Sequence, residues 1–395
     1  MNQCLMKMTN QVLLLCPILL VSAPFSEAAQ VTVQAVNRLS IARPRQTLEL
    51  TSAQLSSLGV KDLNMVHVKD SSGAEVLCQA IDTDFDAHHK PDMVIFQADF
   101  APNETKSFRV SAGAKNVCAK DHFKAFGRFV RERFDDFAWE NDRIAHRMYG
   151  KALETWAGEP LTSSTVDIWS KRTARLVIND WYLAEDYHAD HGEGADFYSA
   201  GTSRGCGGNG IWDADRLWTS RNFINSRVLA NGPIRVLFEL EYEPFDVNGV
   251  KIRETKRISL DAGSQLDKFQ STYKWDGGEL GRAPVVGIGI RKTPGATKAF
   301  DPARGTLQVW EPMTKNAGMQ GVAVLVNPED LQGERDDKLN YLVLAKCRPG
   351  LTVTYWAGFC WDKAGLITTA DDWKSYLVNF AQGLASPIEV TVTGN

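Results

Sequence analysis

The 395-residue chain is short of several things that would place it quickly. It has no CxxC pair, so a cysteine-based zinc site is not expected. Cys4 and Cys16 lie in an N-terminal leader, which leaves Cys78, Cys118, Cys206, Cys347 and Cys360. Five scattered cysteines make no disulfide framework; one or two bridges could form, and at least one thiol stays free unless it pairs between chains. No basic stripe exists and the net charge is only −4, so no nucleic-acid groove is expected. No P-loop, HExxH or nucleophile elbow occurs, and no carboxylate pair is singled out for hydrolysis.

Long apolar runs are also missing. The one candidate, Val12 to Val21, is too short to span a bilayer comfortably. Lys7 precedes it, and Ser26 and Ala28 follow at the −3 and −1 positions of a cleavage site. Residues 1–28 therefore read as a secretory signal peptide, predicting a periplasmic or secreted protein with no membrane span.

What is abundant is strand pattern. "VTVQAVN", "QTLELT", "MVHVKD", "MVIFQADF" and "KSFRVSAG" alternate at period two between turn signals and predict a small N-terminal β-domain over 29–115. "AKNVCAKDHFKAFGRFVRERFDDF" reads as a connector with one short helix. From Trp139 on, strands such as "RIAHRMYG", "STVDIWSK", "ARLVIND" and "VKIRETKRISLD" recur. One late helix stands out, "TADDWKSYLVNFAQGLA", capped by Thr369. The expected fold is all-β: a large antiparallel β-sandwich over 116–395, carrying the function, behind the smaller domain. Eleven tryptophans suit sugar stacking as well as sandwich cores.

Two segments concentrate chemistry. "DYHADHGEGADFYSAGTSRGCGGNG", Asp186 to Gly210, ends in a literal GxGxxG, but an all-β setting removes the dinucleotide reading, and the glycines serve tight turns or close approach. His188, Asp190, His191 and Glu193 are a reasonable donor set for a divalent metal, although their spacing matches no strong metal motif; catalysis, substrate binding or loop-tying are the other readings. The second segment, Arg128 to Gly150, sets Trp139, Asn141, Arg143, His146, Arg147 and Tyr149 among several acids. As a strand, "RIAHRMYG" puts Arg143, Arg147 and Tyr149 on one face and His146 on the other, where His146 is either catalytic or a satisfied core histidine. "DTDFDAHHKPD", Asp82 to Asp92, begins like a calcium loop but lacks its glycine and glutamate, and reads as a solvated turn.

"FDDFAWENDRIAHRMYG", "DYHADHGEGADFYSAGTSRGCGGNGIW", "SRNFINSRVLANGPIRVLFELEYEPF" and "TYWAGFCWDKAGLITTADDW" together resemble a family of exported bacterial proteins long catalogued only as a domain of unknown function. The family is found in polysaccharide-utilisation loci. The resemblance implies a galactose-mutarotase-like β-sandwich and, through members attributed such an activity, dehydration of a non-reducing-end uronic acid, as in ulvan breakdown. It points to the segments, not to individual roles. The implied partner is an acidic oligosaccharide.

Elimination across C4 and C5 of a hexuronate requires a group to neutralise the carboxylate, a base for the C5 proton and an acid for the leaving oxygen. His188, His191, Tyr149, His146 and Tyr187 are the candidates for acid and base. Arg204, Asn141, Arg143 and Arg147 are the candidates for holding the carboxylate, and Trp139, Trp212 and Trp356 for stacking the ring. His188 or His191 with Tyr149 leads the first group, and Arg204 the second. Dehydratase and lyase share these steps. An epimerase or mutarotase and a non-enzymatic carbohydrate-binding protein are the alternatives.

Overall fold

A computed structural model describes residues 29–84, 88–184, 186–275, 283–348 and 350–394. The leader assigned to residues 1–28 lies outside them, as does part of the Asp82–Asp92 turn, where Asp92 accepts hydrogen bonds from Thr83. Strands dominate, neighbouring strands in the sheets run antiparallel among the described residues, and the chain is all-β as the alternation requires.

The N-terminal strands build a small sandwich. Its five-stranded sheet contains Gln30–Val36 and Thr105–Ala112, and Arg43–Thr51 pairs with Met93–Phe100 in the facing sheet. The last strand, Glu389–Gly394, returns to pair with Gln30–Val36, so the end of the chain completes the first sheet. Val31, Val33, Leu48, Phe96 and Phe108 fill the space between.

The large sandwich sets a nine-stranded sheet against two five-stranded ones. One of the latter runs through Asp136–Asn141, Ala145–Met148 and Asp167–Lys171; the other is centred on Val285–Arg291. A parallel bridge, Val166 to Gly205, links the two. Phe137, Trp139, Phe238, Phe269 and Tyr355 pack between the layers. The segment Ala125–Val130, expected as connector, is a strand: it pairs with Asp136–Asn141 residue for residue.

The glycines of GCGGNG are used as close-packing positions. Gly205 has φ +59°, and a Cβ there would meet the Val166 carbonyl oxygen at 2.0 Å; at Gly207 (φ +95°) it would meet the Ala357 Cβ at 2.3 Å. Gly207 and its neighbours lie in strand Cys206–Asp213, not in a phosphate loop. The five cysteines among the described residues are free thiols, and four are buried in separate parts of the cores, so no bridge forms.

"ARLVIND" is not a strand. It is a loop running into helix α1, Ile178–Leu183, because Glu140 takes the Val177 and Ile178 amides at 2.7 and 2.8 Å. Lys171, fully buried, binds the other Glu140 oxygen at 2.6 Å and the Asn141 and Arg175 carbonyls. This knot ties the segment after Lys171 onto the outer face of the sheet. The late helix, α2 (Ala370–Ala385), has a capping box from Thr369 and Asp372 and buries Trp373 and Leu377. Among the described residues no helix is long and apolar enough to cross a membrane.

Removing one member of a buried pair leaves the other charge uncompensated, at about 3–5 kcal/mol. Lys171→Met should lose stability on that scale in urea unfolding, whereas Lys268→Met, at an exposed position, should lose almost none. Equal effects would show that the Lys171–Glu140 pair does not hold the segment.

Candidate active site

The strand Ala145–Met148 sorts its side chains as its alternation predicts. Ile144, His146 and Met148 face the sandwich interior, and Arg147 and Tyr149 emerge on the outer face, under the segment carried by α1. Arg147 lies at the centre of what is found there. Its Nε donates to Asp167 Oδ2 and its Nη2 to Asp196 Oδ2, both at 2.8 Å, and Asp136 Oδ2 lies 3.8 Å from Nη1. Tyr149 donates to Asp167 at 3.1 Å. The rings of Tyr149, Trp169 and Tyr187 pack around the guanidinium with centroids 5.3 to 5.6 Å away.

Arginine and all three aspartates are buried. Burial pushes the Asp136 carboxyl from its usual 3.8 up to about 7, against the pull of Arg147 and Arg133. Burial, with the charge of Asp167 second, holds Asp196 well above the usual carboxylate range. Burial also raises the Tyr149 phenol. Burial thus raises the proton affinity of Asp136 and Asp196, against the pull of Arg147.

At its rim stand Tyr187 and His188. Tyr187 lies on Trp169 with ring centroids 5.1 Å apart, and its oxygen accepts from Arg133 Nε at 2.8 Å and Arg147 Nη1 at 3.3 Å. His188, half-exposed, directs Nδ1 at the Asp196 carbonyl, 3.1 Å away, with Asp196 Oδ2 at 3.4 Å. The acceptors on Nδ1 favour the tautomer that leaves the Nε2 lone pair free. Arg133, packed against Trp156 and Phe134, keeps Nη1 without a hydrogen-bond partner among the described residues.

Other candidates fall elsewhere. His146 is a core histidine: Nδ1 faces the Asp167 carbonyl at 2.9 Å, Nε2 lies 3.1 Å from the buried Asp267, and the ring stacks on Trp139. Trp139 is itself fully buried and donates to Asp267 at 2.6 Å, so it offers no platform to a sugar. Asn141 ties two turns, giving its amide to the Asp261 and Ser264 carbonyls and accepting from the Arg143 and Ile144 amides.

Arg204 is sealed inside the sandwich, where Ser163, Ser164 and the Thr202 carbonyl hold it, and burial brings it down to about 10. It cannot reach a substrate carboxylate from there. Arg147 is committed to its aspartates. Arg143 and Trp356 line a different cleft, and Trp212 a third place beside Trp275. His191 is exposed, with Nε2 3.2 Å from the Asp186 carbonyl.

The four proposed metal donors do not converge. Asp190 is bonded to Arg172 and to two loop amides, Glu193 to Arg175, and His188 to Asp196. Among the described residues no group of three or more His, Cys, Asp or Glu side chains is arranged to hold a metal ion. Asp136, Asp167, Asp196 and Arg133 were not among the candidate site residues, although Arg133, Asp136 and Asp196 lie in the two dense segments and Asp167 stands as a lone acid inside the apolar strand "STVDIWSK".

Fold and cluster together define a large antiparallel β-sandwich protein with a buried arginine–aspartate centre opening at a tyrosine and a histidine. The family described as Domain of unknown function (DUF4861) matches residues 36–390, and the chain belongs to it. It is 30% identical over 388 residues to Uncharacterized protein P7 of Formosa agariphila, covering 93% of this chain and 94% of that one. Among solved structures it is similar to an alpha-mannosidase from Enterococcus faecalis V583, with TM-score 0.50 and 10% identity. That match covers 92% of this chain and 46% of the mannosidase, so the chain spans about half its length. At that identity the likeness is one of fold.

Because Asp136 holds its proton to about pH 7 when folded, its contribution to stability is full below 3.8 and lost as pH rises to about 7. The slope is up to about 1.4 kcal/mol per pH unit. Asp136→Asn cannot ionise, so its stability relative to the parent should rise between pH 4 and 7 in urea titrations. A pH-independent difference would mean that Asp136 is charged in the folded chain.

Proposed function

We propose that this protein is a carbon–oxygen lyase of acidic oligosaccharides that dehydrates, or eliminates at, a non-reducing-end hexuronic acid and leaves a 4,5-unsaturated uronate. The observation that carries this reading is the pair at the rim: a tyrosine whose oxygen faces two guanidinium groups, next to a histidine whose Nδ1 is held by Asp196.

In this scheme His188 Nε2 takes the C5 proton, and the electron pair forms the C4=C5 bond as the C4–O bond breaks. Tyr187 gives its proton to the departing oxygen, which leaves as water from a terminal uronate, or as the hydroxyl of the preceding sugar where C4 carries one. Arg133 and Arg147 face the phenolate left behind, and in this scheme Arg133 pairs with the substrate carboxylate. The buried aspartates orient the arginine and the histidine and do not touch substrate. Transfer of a proton from His188 back to Tyr187 through solvent restores the resting state. The dehydratase form, the ulvan-type source of substrate and an exported location are parts of the same proposal, supported by the resemblance of the sequence blocks and by the leader pattern in residues 1–28.

Positioned acid or base groups are worth about 10²–10⁴ in rate. Tyr187→Phe and His188→Ala should each lower enoate formation from a glucuronate-ended disaccharide by that order while the thermal midpoint holds. His191→Ala should leave the rate near that of the parent. Unchanged rates in both rim variants would remove this site from the chemistry.

A further inference from the structure

A second concave surface lies between the two sandwiches and takes no part in the scheme above. It is a cleft of about 830 Å³, within the range of roughly 300–1,000 Å³ common for small-molecule sites. Its floor is the outer face of the nine-stranded sheet, where Lys268 and Trp356 stand directly opposite each other on neighbouring strands. Helix α2 supplies one wall through Tyr376 and Phe380, the latter edge-on to Trp356 at 6.5 Å. Strand Arg43–Thr51 of the small sandwich supplies the other.

Most charge in this cleft is already paired. Arg235 binds Asp261 and Glu49, each at 2.6 Å, and Arg45 binds Asp142 at 2.6 Å. Arg43 is held by the Ser386 carbonyl and Gln46. Arg143 and Lys268 are different: among the described residues neither side chain has a hydrogen bond or ion pair. Two unpaired cations, with one carboxylate, Asp99, that accepts only the Arg45 amide, therefore border a cleft with an indole on its floor. Aromatic faces suit the C–H faces of sugar rings, and free ammonium and guanidinium groups suit carboxylates.

We propose that this cleft is a second binding site, for a uronate-bearing saccharide, with Trp356 beneath a ring and Arg143 and Lys268 on its carboxylates. It does not depend on the elimination chemistry, so the two proposals fail separately. Arg143 sits in the turn between strands Asp136–Asn141 and Ala145–Met148, and none of Arg133, Arg147, Tyr187 and His188 lines the cleft.

The test is calorimetric titration of Tyr187→Phe protein, in which the scheme above expects turnover to be slowed, with an unsulfated chondroitin tetrasaccharide, and with cellotetraose as the neutral control. The comparison is the same protein carrying Arg143→Ala and Lys268→Ala. Both substituted side chains lack partners, so the thermal midpoint should not move. One binding event should be lost or weakened by about tenfold or more in the comparison protein, whatever number its parent shows. Binding in the parent should weaken with added salt, and cellotetraose should bind poorly. Equal binding in the two proteins, equal binding of the neutral sugar, or no binding by the parent would each overturn the proposal.

Discussion

The buried contact of Arg147 with Asp167 and Asp196 is the constraint on which the candidate site depends. Isolated charges are not tolerated in a low-dielectric interior, and a guanidinium with several donors can satisfy carboxylates from separate elements at once. Here one comes from the neighbouring strand Asp167–Lys171 and one from the segment that follows α1. The second contact is what brings Tyr187 and His188 back over the sheet: Asp196 is bonded to Arg147 through its carboxylate and to His188 through its carbonyl. Loss of the arginine would leave three acids facing one another and release the rim.

The sandwich explains why such a centre can exist on its outer face. The inner face of the same strand carries Ile144, His146 and Met148 into a core of large aromatic side chains, which fixes the strand's register. With the register fixed, Arg147 and Tyr149 can point only outward. The lid over them is anchored at its start by Glu140 and Lys171 and at its end by Asp196, so both ends depend on buried ion pairs rather than on helix length. α1 is only six residues long, too short to be stable by propensity alone.

The all-β class, α2 with its Thr369 cap and the division of "RIAHRMYG" into two faces were legible from local pattern, because period-two alternation is a local property. His146 was legible only as a choice, and its pairing with Asp267, which lies on a strand far along the chain, decides it. The uses of Arg147 and Arg204 were not legible. Arg147 meets acids 20 and 49 residues away, and Arg204 is placed inside by the strand that follows it. "ARLVIND" misled for the same reason: its apolar pattern fits a strand, and the helix start is set by a carboxylate 37 residues earlier. Metal ligation at "HADHGE" failed because Arg172 and Arg175, outside that stretch, claim its acids.

The chemistry assigned to the rim is an elimination, and the fold it stands on is shared with a mannosidase. The measurement that separates these is mass spectrometry of the products from a glucuronate-ended disaccharide carrying deuterium at C5, with ultraviolet absorbance followed alongside. The account predicts loss of the deuterium together with one water, and a rise in enoate absorbance. Cleavage of the glycosidic bond by addition of water, with the deuterium retained and no enoate formed, would contradict it.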